Sequence, residues 1–146
     1  MSKLSCVEFI HTAPRPKAPM ERQRAVTVQS NFGIEGDRRA QADSSRQVTF
    51  IEAEVVESAA ASLNLSIPPG ASRRNFTTRG VDLATLIGKK FQIGNAVFEG
   101  TKACTPCERM ETAVGRGAIT ALGKGGLCAR VLQGGDIREG MGIRIC

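Results

Sequence analysis

The chain has 146 residues, 41% of them apolar and 23% charged, with a net charge of +6. That length suits a single domain spanning 1–146, and the apolar share can fill a packed core, which excludes a disordered tail or a fibrous repeat. No apolar run reaches membrane-spanning length and no secretory leader pattern opens the chain, so a cytoplasmic protein without a membrane partner is expected.

In chain order, Leu4 to His11 and Ala25 to Gln29 read as strands. The connection from Ala13 to Arg24 carries three prolines and a basic excess and reads as a solvated loop. Gly33-Ile34-Glu35-Gly36-Asp37-Arg38 is a tight-turn segment that brings backbone close to a neighbour. Gln47 to Ile51 is β-branched and aromatic, hence a strand. From Glu52 to Leu63 the apolar residues Val55, Val56, Ala59, Ala60 and Leu63 recur at helical period, with Glu52, Glu54 and Glu57 early, where the dipole favours them.

Gly70 to Gly80 reads as turn-rich and basic. Asp82 caps a short helix to Ile87, stopped by Gly88. Lys90 to Ile93 and Ala96 to Glu99 flank Gly94-Asn95, a two-residue hairpin signal. A third helix begins at Pro106. Gly123-Lys124-Gly125-Gly126 reads as a flexible loop, or as a nest of N–H groups for an anion. Ala129 to Leu132 and Gly142 to Ile145 read as further strands, with Gly134-Gly135 and Gly140 as turns between them. The pattern predicts a mostly-β fold, a closed or partly closed barrel of about seven strands with a few peripheral helices and no βαβ unit.

Five cysteines, an odd number with no signal peptide, point to reduced thiols. In Cys104-Thr105-Pro106-Cys107-Glu108 the threonine and glutamate form a capping box and the proline takes the first helical position. Cys107 then falls in the first turn, where free N–H groups and the positive dipole end favour a thiolate. Cys107 is the candidate catalytic thiol and soft-metal ligand. Cys104 ends a strand beside the same pocket. Cys6, Cys128 and Cys146, among apolar neighbours, read as packing. Around the thiols, Arg73, Arg74, Asn75 and Arg79, with Lys102, suit a phosphate or another oxyanion.

Taken together, these segments resemble the MOSC family, named for the C-terminal domain of molybdenum cofactor sulfurases. The resemblance is carried by Gly33-Ile34-Glu35-Gly36-Asp37, by Arg74-Asn75 with Gly80-Val81-Asp82-Leu83, and by Leu86-Ile87-Gly88-Lys89 with Ile93-Gly94. Cys104-Thr105-Pro106-Cys107 follows, then Ala129-Arg130-Val131-Leu132 with Gly134-Gly135 and Gly140. It implies a mostly-β barrel in which Cys107 matches the family's functional cysteine. That thiol would carry sulfur as a persulfide or ligate the molybdenum of the pterin cofactor (molybdopterin). The cofactor's phosphate would employ Arg74 and Asn75, with Arg130 from the last motif; Arg73, Arg79 and Lys102 join them on charge. The chain has no room for the pyridoxal-phosphate desulfurase domain that accompanies this domain in the sulfurases. An external sulfur donor or electron-transfer protein is therefore expected, in a stand-alone domain that either carries sulfur or supports reduction of N-hydroxylated compounds.

Two other readings compete. A basic β-barrel could bind nucleic acid, but a 4% aromatic content without Tyr or Trp disfavours stacking on single strands. A C-x-x-C pair could also form a zinc or redox module, although Cys128 and Cys146 make no second pair.

Overall fold

The computed structural model describes residues 5–104 and 126–146. Cys107, the helix expected from Pro106, and Gly123 to Gly125 lie outside the described residues.

Eleven strands are present among the described residues. They are β1 (Cys6–Thr12), β2 (Glu21–Arg22), β3 (Ala25–Gln29), β4 (Gly33–Ile34), β5 (Val48–Glu52), β6 (Phe76–Arg79), β7 (Lys90–Ile93), β8 (Ala96–Ala103), β9 (Gly126–Gln133), β10 (Gly135–Arg138) and β11 (Ile143–Ile145). Eight form one curled half-barrel sheet in the order β11-β7-β8-β9-β5-β6-β1-β2, and β10-β3-β4 form a small second sheet. The fold is mostly β.

The hollow of the large sheet is filled by phenylalanine. Phe50, Phe76, Phe91 and Phe98 are fully buried, and Phe50 lies 5.0 Å, 5.4 Å and 5.6 Å from the other three rings in stacked and edge contacts. Leu127, Ala129 and Val131 of β9 face the same core. Alternation along the strands therefore points Thr49 and Cys128 to the opposite face.

That outer face is partly covered by α1 (Ala53–Leu63), which packs Ala59, Val55 and Val56 on Ile51. The helix starts after Glu52 and ends at Asn64, whose left-handed backbone (φ 53°) closes the last turn. Its early carboxylates have specific partners besides the dipole. Glu52 accepts from the Leu83 amide at 3.0 Å and Glu54 from the Gly80 amide at 2.8 Å.

Local signals are well expressed. Gly94-Asn95 joins β7 to β8 with Ile93 opposite Ala96. Asp82 caps a 3-10 turn, Leu83–Leu86, by accepting from the Ala84 amide. Two expectations are corrected. β5 and β6 pair in parallel, Phe50 opposite Phe76, and α1 is their crossover, so the fold does contain one βαβ unit. The segment from Gly135, read as a turn, is β10, held by pairing with β3. No helix among the described residues is long and apolar enough to cross a membrane.

Candidate functional site: a thiol pair beside a basic cleft

A polar row crosses the outer face of the sheet. Asn75, one residue before β6, is fully buried and bonded on all sides. Its Oδ1 accepts from the Thr49 amide at 3.0 Å and from the Thr49 hydroxyl at 3.1 Å, and its Nδ2 donates to the His11 carbonyl at 3.1 Å. Such a closed network rigidifies the strands it spans. At its end burial holds the His11 imidazole below its ordinary pKa. Thr49 stands opposite Cys128, and Cys128 opposite Lys102. The row thus runs from a buried amide to an exposed lysine, with a thiol between them.

Cys104 follows β8 and is buried, 5% exposed, with its amide donating to the Gly126 carbonyl at 3.1 Å. Gly126 is required here, because a Cβ at that position would meet the Cys104 carbonyl oxygen at 2.7 Å. Cys104 and Cys128 lie diagonally across β8 and β9 on one face of the sheet, and the Cys128 thiol acts on Cys104. The Cys128 thiol donating to it holds the Cys104 thiol down to about 6, against the effect of burial, and Arg74, Arg46 and Arg39 lower it further. Cys128 is pushed up in turn, by that same bond and by burial. The two thiols titrate as a pair, with the thiolate form favoured at Cys104.

Arginines gather on the other side of the thiolate. Asp37 is buried and accepts from the amides of Ala13 and Arg39, both at 3.0 Å, so it shapes the loop that presents Arg38 and Arg39. Arg38 donates to the Arg73 carbonyl at 3.2 Å, and Arg73 donates to the carbonyls of Pro16 and Ala18 at 3.0 Å each. These bonds pin the proline-rich connection, which buries Ala13 and Ala18 and is not merely a solvated loop. Burial, together with Arg39, Arg73 and Arg74 against the opposing pull of Asp37, brings the Arg38 guanidinium down to about 10.

A cleft of about 310 Å³ opens between Arg38, Arg39, Arg46 and Lys102, with Gln41, Ser44 and Ser45 completing its wall. Among the described residues no carboxylate forms an ion pair with those four cations. Hydroxyls, an amide and cationic donors make a lining suited to a compact anion such as phosphate.

The expected site residues are distributed as follows. Arg74, 4% exposed, and Cys104 lie together, and Lys102 lines the cleft. Arg73 braces the loop behind it. Asn75 spends its polar atoms inside the sheet. Arg79 is held by Glu8 and Glu57 beside α1, and Arg130 pairs with Glu99 at 3.1 Å on the surface. Sequence reasoning passed over Arg39, Arg46 and Cys128. The arginine density of residues 38–46 was a usable signal for the first two, whereas nothing local distinguishes Cys128. Of the cysteines expected to pack, Cys6 is half-buried and Cys146 is exposed after the edge strand β11. All four described cysteines are free thiols.

The MOSC domain model matches residues 36–144, a stretch that contains the arginine loop, both thiols of the pair and Cys107. The chain belongs to the MOSC-domain family. Solved structures similar to this MOSC protein include the YUAD protein from Bacillus subtilis, at 17% identity and a TM-score of 0.79 over 98% of this chain and 96% of that one. YiiM from Geobacillus stearothermophilus has 17% identity and a TM-score of 0.76, with 97% of this chain and 75% of that chain covered. YiiM from Escherichia coli has 17% identity and a TM-score of 0.67, with 94% and 69% covered. At such identities the likeness establishes the fold. No curated protein matches.

The thiol pair has a pH signature. Because its folded value lies below the ordinary 9.0, Cys104 contributes stability that is fully present above 9.0 and is lost as pH falls through about 6. Denaturant unfolding of the protein and of Cys104→Ser, compared across that window, should show the gap between them narrowing toward acid. A gap that stays constant between 9.0 and 6 would show that the thiol is not ionised in the fold.

Proposed function

We propose that this MOSC-domain protein binds the molybdenum–pterin cofactor, its phosphate in the basic cleft, and uses Cys107 as the soft ligand or as the thiol that carries sulfur. The observation that supports it most is a basic cleft, free of carboxylates in its lining, whose arginines Arg39 and Arg46 also favour the thiolate at Cys104. Cys107 is three residues from Cys104, a covalent reach of at most about 11 Å.

The residues present fit such a group. Arg38, Arg39, Arg46 and Lys102 would hold the phosphate through charge-assisted bonds, and Ser44, Ser45 and Gln41 would orient its oxygens. A thiolate suits a soft metal centre. When bound, the cofactor supplies a metal that changes oxidation state by two electrons. Arg74, buried beside Cys104, would add to the charges that favour the thiolate there. Reduction of N-hydroxylated compounds would draw electrons from an external protein. In the carrier version, the Cys107 thiolate would take the outer sulfur of an external donor's persulfide, whose S–S bond breaks and whose inner sulfur leaves as a thiolate. A small cleft lined by four cations favours either version over a nucleic-acid module, which needs an extended basic track.

The test is to purify the protein from cells able to make the cofactor and to measure molybdenum, pterin fluorescence and persulfide labelling. Molybdenum and pterin together, or a persulfide label, are expected in the wild type and absent from Cys107→Ala. Neither signal in the wild type, or signals that survive Cys107→Ala unchanged, would overturn the proposal.

A further inference from the structure

Cys104 and Cys128 lie on the same face, diagonally across β8 and β9, because β8 carries one extra residue. Gly100 stands opposite Ala129 and Lys102 opposite Cys128, so Thr101 has no partner on β9. In an unbroken ladder Thr101 would oppose Cys128, and Cys104 would lie on the other face of the sheet. The bulge reverses that parity. The Thr101 hydroxyl is tied to the carbonyls of Cys128 and Ser45, which holds the bulge in place and joins it to the arginine loop. Gly126 opposite Cys104 then lets the two backbones close. Register, bulge and glycine together place the two thiols on one face of neighbouring strands, diagonally across the ladder.

We propose that Cys104 and Cys128 are a two-thiol redox site, converted to an intramolecular disulfide by a small peroxide. The inference does not depend on the cofactor reading. The surroundings favour this over a metal site: Arg39, Arg46 and Arg74 lie near enough to act on Cys104, and their charge repels a bare divalent cation while stabilising a thiolate nucleophile. Among the described residues no third metal-ligating side chain joins the two thiols.

The chemistry balances in two steps. The Cys104 thiolate attacks one peroxide oxygen, the O–O bond breaks, and the departing hydroxide takes up a proton to become water, leaving a sulfenic acid. The Cys128 sulfur then attacks the sulfenic sulfur. The S–S bond forms, the S–O bond breaks, and the hydroxyl leaves as water with the proton given up by Cys128. Two thiols lose two electrons in total, and one peroxide is reduced to two waters. Closure shortens the thiol contact to about 2.05 Å. Cys104, just beyond the end of β8, is the half of the pair with room to adjust.

The site is tested by treating the purified protein with hydrogen peroxide at low excess, blocking free thiols and mapping tryptic peptides by mass spectrometry. Cys104 and Cys107 share the peptide 103–109, whereas Cys128 lies in 125–130. The expected product is the linked pair of peptides, formed in the wild type and in Cys107→Ser and reversed by a dithiol reductant. In Cys128→Ser a dimedone-trapped sulfenic acid should appear on Cys104 instead. Fragmentation of the wild-type linked peptide on either side of Pro106 assigns the sulfur without relying on any variant's folding. A disulfide confined to the 103–109 peptide, a link through Cys107, or two thiols that remain free under peroxide would each overturn the proposal.

Discussion

Gly100→Val should destabilise the protein by about 3 kcal/mol, because overpacking against an unyielding neighbour lies at the upper end of its range. A Cβ at Gly100 would run into the Leu86 carbonyl oxygen, lie 2.8 Å from the Leu86 carbonyl carbon and approach the Ile87 Cα at 3.3 Å. These are backbone atoms, with no rotamer to give way. They are also held in place from both sides: the Gly88 amide donates to the Gly100 carbonyl at 2.8 Å and the Gly100 amide to the Lys89 carbonyl at 3.0 Å. Relief can come only by pushing β8 away from the 3-10 turn, and the Thr101 bulge begins at that point. The variant should therefore also move the Cys104 thiol back up toward 9.0 as the two sulfurs separate. Urea unfolding and thiol titration measure the two effects. A wild-type midpoint for Gly100→Val would refute the close approach.

The second large effect is electrostatic. Replacing both Arg39 and Arg46 by Gln should weaken binding of inorganic pyrophosphate, a stand-in for a phosphate-bearing ligand, by at least about 100-fold. Each hydrogen bond between charged groups contributes about 1.5–3 kcal/mol, and two are lost. The same double variant should raise the pKa of the Cys104 thiol, since both guanidinium groups lower it. Binding and titration are reciprocal: an anion in the cleft offsets those charges, so pyrophosphate should raise the thiol pKa of the wild type and hardly affect that of the variant. Arg144→Gln, far along the edge strand β11 and bonded to Gln92, should leave both readouts alone. Calorimetry with pyrophosphate, paired with thiol titration, separates the outcomes. Equal affinity in the double variant and the wild type would remove the cleft from the site.

Much of the architecture could be read from neighbouring residues. The β7–β8 hairpin follows from Gly94-Asn95, the 3-10 turn from Asp82, and α1 from the spacing of Val55, Val56 and Ala59, because turn chemistry, capping and periodicity act over a few residues. β6 and β10 are different. Phe76-Thr77-Thr78-Arg79 sits between glycines and arginines and has a turn-like composition. It becomes a strand because β1 and β5 flank it on either side. Gly135–Arg138 becomes one because β3 is there to pair with it. Strand preference in short segments is a property of the pairing, not of the residues alone.

The site divides along the same line. The MOSC family, the mostly-β class and the candidate thiol Cys107 followed from motifs in the chain. So did the idea that the positive charge serves local anion chemistry, because capping boxes and arginine-rich turns carry their physics in a few adjacent residues. Tertiary structure decided which arginines converge. Arg79 was drawn off by Glu8 and Glu57 and Arg130 by Glu99, while Arg39 and Arg46 met beside Cys104. It also placed Cys128, apolar in its sequence context, on the same face as Cys104, diagonally across the ladder. That placement rests on a single unpaired residue, Thr101, which flips the face of everything after it. The parity of a strand across a bulge exists only once a second strand, distant in the chain, lies alongside to count against.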